Sequence, residues 1–126
     1  MTYYHVWFST KGRKPALVED IDATVRSSFL EVSGRTGVEI VEMQTAFDHV
    51  HLLLYTRPGQ ALPRIMHDLK GTSARLVFER YPELRLDMGS NSFWQKSYGA
   101  RRVAPDQLDI VRSYVRTQSE RPLRHV

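Results

Sequence analysis

The strongest constraint on the fold is a close pair of β-type segments lying between two helical ones. Val38 to Thr45 alternates as a strand and Phe47 to Thr56 forms a second; so short a connection predicts a hairpin. Upstream, Val18, Ile21, Val25, Phe29 and Val32 recur at helical spacing. Glu19, Asp20 and Asp22 occupy the first turn, where the helix dipole favours anions, and Gly34 or Gly37 offers the stop. Downstream, Leu62, Ile65, Met66, Leu69, Ser73, Leu76 and Val77 trace a second helix, ended by Tyr81-Pro82. Tyr3 to Thr10 is rich in β-formers and ends at the polar turn Lys11-Gly12-Arg13-Lys14-Pro15. Ser92 to Val103 reads as a strand with Gly99 as a bulge. Pro105 can open a last helix, with Leu108, Val111 and Val115 on its buried side.

The order β-α-β-β-α-β-α predicts an α+β, ferredoxin-like (RRM-like) antiparallel sheet with one added C-terminal helix. With 126 residues and no linker, repeat or low-complexity tract, one domain over 1–126 is expected. No apolar run reaches the ~20 residues of a membrane helix, so no membrane partner is expected. The absence of cysteine excludes a disulfide frame, a thiolate zinc site and a cysteine nucleophile, and a cytoplasmic location is the simplest expectation.

Charge is unevenly placed. Residues 1–60 hold six basic and seven acidic side chains, whereas 61–126 hold twelve and seven. Fourteen of the eighteen basic residues are arginine, whose planar fork suits phosphate oxygens. A polyanion, with nucleic acid ahead of a membrane surface, is the partner this implies.

Asp48-His49-Val50-His51 opens the most apolar strand, ahead of Leu52-Leu53-Leu54. Side chains alternate along a strand, so His49 and His51 share one face while Val50, Leu52 and Leu54 face the two long helices. Their Cα atoms stand roughly 6.5–7 Å apart, close enough for two imidazoles to converge on one metal. Ordinary hydrogen-bonded strand histidines are the alternative. A third ligand must come from elsewhere, because Leu53 occupies the next alternate place, which weakens a histidine-triad hydrolase. Surface or core roles are expected for His5, His67 and His125.

Tyr114 and Gln118 lie four residues apart, on one face of the last helix beside the Val111/Val115 stripe. A packed tyrosine with a wet hydroxyl and a helix-forming glutamine would account for both. Joined to the histidines they allow sharper chemistry. A tyrosine hydroxyl can attack a phosphodiester and conserve the bond energy as a phosphotyrosine. Its ordinary pKa near 10 makes it a poor nucleophile, which a divalent cation on the phosphate oxygens offsets. Two imidazoles and an amide oxygen leave positions open for phosphate and water, which suits magnesium or manganese better than a closed zinc site.

This combination resembles the single-tyrosine HUH transposases of the insertion-sequence 200/605 type. Tyr4-His5-Val6-Trp7-Phe8-Ser9-Thr10-Lys11 looks like that family's first strand and Asp48-His49-Val50-His51-Leu52 like its metal strand. Leu69-Lys70-Gly71-Thr72-Ser73 is similar to its central helix, and Phe93-Trp94-Gln95-Lys96-Ser97-Tyr98-Gly99 to its last strand. Tyr114-Val115-Arg116-Thr117-Gln118 matches its nucleophile helix. The resemblance implies His49, His51 and Gln118 as ligands of Mg2+ or Mn2+, with Tyr114 as nucleophile forming a 5′-phosphotyrosine on single-stranded DNA. It also implies hairpin recognition at element ends, a homodimer in which Tyr114 can serve either subunit, and no nucleotide cofactor. REP-associated tyrosine transposases are a related possibility.

Lys96, Arg101, Arg102, Arg112, Arg116, Arg121 and Arg124 are the candidate phosphate contacts, which would position DNA without reading its sequence. Phe93, Trp94 and Tyr98 are candidates for base stacking or core packing. Two rivals are a non-catalytic, domesticated nucleic-acid-binding module on the same scaffold and a small phosphoesterase using water. Neither needs His49, His51, Tyr114 and Gln118 together.

Overall fold

The computed structural model describes residues 1–118. Four strands form one antiparallel sheet in the order β2-β3-β1-β4. They are β1 (Thr2–Ser9), β2 (Glu39–Thr45), β3 (His49–Thr56) and β4 (Gly99–Val103). The long helices α1 (Glu19–Thr36) and α2 (Leu62–Arg80) pack together on one face. A short α3 (Leu84–Met88) follows them, and α4 (Leu108–Arg116) is the last α-helix among the described residues. The expected ferredoxin-like order is therefore the observed one, with α3 added.

Local chemistry explains the boundaries. Gly37, not Gly34, stops α1: it takes the left-handed conformation and its N–H closes on the Ser33 carbonyl. Tyr81 caps α2 just before Pro82, as the sequence predicts. Val6 and Phe8 from β1, Val50, Leu52 and Leu54 from β3, Val25 and Phe29 from α1, and Met66, Leu69 and Val77 from α2 form the main core.

Two expectations need correction. The last strand does not begin at Ser92. Only Gly99–Val103 pairs with β1, and the preceding segment touches the sheet through a single bridge between Thr10 and Trp94. Phe93 and Trp94 are consecutive and both buried, which an alternating strand with one open face cannot achieve. They join Phe8, Phe29 and Phe78 in an aromatic cluster, and Trp94 donates its indole N–H to Ser73 Oγ at 2.8 Å, so neither is a stacking surface. Gly99 is not a bulge either. It pairs with Trp7, and a Cβ there would come within 2.0 Å of the indole, so the ring lies across bare backbone.

The histidine face, which α1 and α2 do not cover, carries the last helix: α4 packs on β2 and β3 there, and Val111 and Val115, the expected buried side, form a small second core with Leu53 and Val103. Glu42 on β2 receives both Arg112 (3.3 Å) and Arg116 (2.7 Å), and the Gln44 amide donates to the Arg116 carbonyl at 2.8 Å.

Candidate active site

Register brings the site together. His5 stands opposite Leu53 in one neighbour and opposite Arg101 in the other, while Trp7 stands opposite His51. Alternation then puts His5, Trp7, His49, His51 and Arg101 on the face under α4. His5, His49 and His51 are all buried, at 2%, 3% and 2% exposure.

Each ligand-candidate ring is held through Nδ1. His49 Nδ1 donates to Asp48 Oδ1 at 2.7 Å, and Arg13 Nε reaches the other oxygen of the same carboxylate at 3.2 Å. Desolvation raises the Asp48 carboxyl, but hydrogen bonds from His49 and Arg13 outweigh it and hold its pKa below the ordinary aspartate value. His51 Nδ1 lies 2.9 Å from His5 Nε2, and His5 Nδ1 accepts from Arg101 Nε at 3.2 Å. Burial, helped by Arg101, pushes His5 down to about 4. Burial first, then the charges of His5, His49 and Arg101, pushes His51 down to about 3. Both rings are therefore neutral at pH 7.

The Nε2 atoms of His49 and His51 are buried without a hydrogen-bond partner, and the two rings are 5.4 Å apart at right-angled planes. Buried polar atoms left unpaired cost free energy, and two of them on adjacent rings fit a shared cation. Among the described residues no three His, Cys, Asp or Glu side chains form a group that could hold a metal ion, so a third donor from these residues would be of another type, such as a glutamine amide.

Tyr114 projects from α4 toward these rings. Its ring lies 5.6 Å from His5 and 6.1 Å from His51, edge-on to both, with the Arg101 guanidinium 5.8 Å from its centre. The residue is 37% exposed, so one side packs on the histidines and the other meets solvent. Gln118 is not on a continuous helix with it: α4 ends at Arg116, and Gln118 follows in a tighter turn, buried, donating to the Tyr114 carbonyl at 3.2 Å. One chain thus brings its own histidines and tyrosine together.

The basic candidates separate. Arg101 is inside the site, Arg112 and Arg116 tie α4 to Glu42, and Arg102 faces the opposite side of the sheet with Lys96 exposed on the loop before it. Arg121, Arg124 and His125 lie outside the described residues. His67 is exposed on α2. The sequence reading missed His5, whose partners are 46 and 96 residues away and are set only by strand register.

A model of the family described as "Transposase IS200 like" matches residues 1–118. The chain belongs to that family. It is 30% identical over 118 residues to the ISDra2 transposase TnpA of Deinococcus radiodurans, covering 94% of this chain and 84% of that one. It is 27% identical over 117 residues to the transposase for insertion sequence element IS200 of Salmonella typhimurium, covering 93% and 76%. In three dimensions it matches the crystal structure of a candidate transposase from D. radiodurans R1, with a TM-score of 0.75 at 28% identity over 92% of this chain and 89% of that one. A REP-associated tyrosine transposase bound to a REP hairpin shares the fold, with a TM-score of 0.71 at 12% identity over 93% and 66%. Membership places the protein among DNA transposases of insertion sequences. Among the described residues, no helix is long and apolar enough to cross a membrane.

Proposed function

We propose that this transposase cleaves and rejoins single-stranded DNA through a covalent link to Tyr114, at a divalent-cation site held by His49, His51 and Gln118. The observation that carries the reading is the placement of the Tyr114 ring against a pair of buried imidazoles whose Nε2 atoms have no protein partner. Magnesium or manganese, when bound, supplies charge neutralisation at the phosphate oxygens and a fixed orientation for in-line displacement. Tyr114 Oη forms the bond to phosphorus as the bond to the 3′ oxygen breaks, leaving a 5′-phosphotyrosine. The proton lost from Oη is balanced by the one gained on the 3′-hydroxyl. Attack by a 3′-hydroxyl reverses the step and restores Tyr114, so no nucleotide is consumed.

Asp48 fixes the His49 ring with its Nε2 lone pair toward the site. Arg101, on the histidine face, is the candidate to meet a backbone phosphate beside the site, while Arg102 on the opposite face, Lys96 on the preceding loop, Arg121 and Arg124 are candidates for contacts farther along the strand. Hairpin recognition is part of the reading, supported by a neighbour of the same fold that holds a REP hairpin. A homodimer is also part of it, and the sheet edges β2 and β4 offer unpaired backbone for such a junction. The insertion-sequence relatives, at 30% and 27% identity, favour an element transposase over a REP-associated one.

Incubation with Mg2+ and single-stranded hairpin DNA from the flanks of the gene tests this. A covalent protein–DNA adduct is expected with wild type and none with Tyr114→Phe, whose DNA binding persists. An undiminished adduct in Tyr114→Phe removes the tyrosine from the mechanism, and adduct formation by His49→Ala in chelator removes the cation.

A further inference from the structure

The three-residue chain Arg101, His5, His51 has a direction, and the direction bears on the cation site. A guanidinium can only donate. Arg101 Nε–H points at His5 Nδ1, 3.2 Å away, so that nitrogen must offer its lone pair. A neutral His5 then carries its proton on Nε2 and donates it to His51 Nδ1 at 2.9 Å. His51, accepting at Nδ1, carries its own proton on Nε2, the atom that faces the site without a partner. His49 is wired the other way: its Nδ1–H donates to the Asp48 carboxylate, which leaves the lone pair on Nε2. One ring is ready for a cation and the other is capped by a hydrogen.

We propose that Arg101 is a latch on the cation site, holding His51 in the tautomer that cannot ligate, and that loading the site expels Arg101 from His5. The inference rests on the cation reading given above. When His51 ligates, its Nε2 proton leaves to solvent and the His5 Nε2 proton passes to His51 Nδ1. His5 takes a proton from solvent at Nδ1, so both rings stay neutral and no net proton is released. His5 Nδ1–H then faces Arg101 Nε–H, donor against donor, and the guanidinium has to swing away. Arg101 is exposed on β4 and within 5.8 Å of the Tyr114 ring, so once released it stands where a phosphate would approach the nucleophile. The latch keeps the site poor in metal until the arginine finds a better anion, coupling cation and DNA binding. His5 and Arg101 are positioning residues in this scheme, since each acts through His51.

Two measurements on the full chain decide it. Imidazole 15N spectra of the metal-free wild type at pH 7.5 should show His51 as the Nε2–H tautomer, with Arg101→Met shifting it toward Nδ1–H. Calorimetric titration with Mn2+ alone should then give about ten-fold tighter binding in Arg101→Met, the worth of one hydrogen bond no longer broken. A metal-free wild type with His51 as Nδ1–H overturns the latch and leaves the cation site standing. Tighter binding with unchanged tautomers also overturns it, because removal of a positive charge then accounts for the gain. Failure of both proteins to bind Mn2+ removes the cation reading and the latch with it.

Discussion

On one face of the sheet Val6, Phe8, Val50, Leu52 and Leu54 meet two long helices; on the other His5, His51 and Leu53 meet the short helix that carries Tyr114. Both faces exclude water, yet they are stabilised differently. The helix-covered face gains by area, a non-directional term that tolerates similar shapes. The histidine face buries three imidazoles, each of which costs free energy unless its nitrogens are paired. There the interactions are directional, running through Asp48, Arg13, Arg101 and Glu42. Stability resides mainly in the first face, and the capacity for chemistry in the second.

Leu52 and Leu53 test that division most severely, being adjacent, fully buried and on opposite faces. Leu52→Ala should cost about 2–5 kcal/mol of global stability in urea unfolding, as large-to-small core changes do. Leu53→Ala removes the same volume from the smaller core with Val103, Val111 and Val115, so it should also free α4. Hydrogen exchange reads this directly: α4 amides should exchange faster in Leu53→Ala than in Leu52→Ala at matched global stability. Equal exchange in the two variants would mean that α4 is held by the Glu42 pairs instead.

The pH response separates the faces next. His5 and His51 have folded-state values of about 4 and about 3, below the ordinary 6.5, so the unfolded chain binds protons first. Their contribution is fully present above pH 6.5 and is lost as pH falls from there through about 4 for His5 and about 3 for His51. Urea unfolding in chelator should lose on the order of a few kcal/mol between pH 7.5 and pH 5. His5→Gln should flatten that loss, and an unchanged slope would assign it to other groups.

The two faces are also unequally legible. Aliphatic spacing announces α1, α2 and β3 because burial against a helix needs only period and hydrophobicity, which is why Val50, Leu52 and Leu54 can be assigned to their face from sequence. The histidine pair is legible for the same reason of alternation. Its surroundings are not. His5 looks like any strand residue until β1 and β4 are in register and Arg101 comes opposite it. The helix period places Gln118 beneath Tyr114 but does not say that α4 stops at Arg116, which takes Gln118 into a tighter turn. Phe93 and Trp94 have the β preference of a strand, and only the aromatic cluster they join makes them a loop anchor.

The smallest expected effects compare two glycines. Gly99 lies beneath Trp7 on the histidine face, and an added Cβ would meet three indole atoms at 2.0–2.4 Å. Gly99→Ala should therefore displace Trp7 and cost about 1–3 kcal/mol, the usual range for overpacking. Gly71 lies exposed within α2, where an added methyl group would find nothing within 4 Å, and its backbone is helical. Gly71→Ala should stabilise by about 0.5–1 kcal/mol through reduced freedom of the unfolded chain. Opposite signs for one substitution in thermal or urea unfolding are expected. A destabilised Gly71→Ala would show that the outer surface of α2 is packed against something, and so is not the plain solvated back of the helix-covered face.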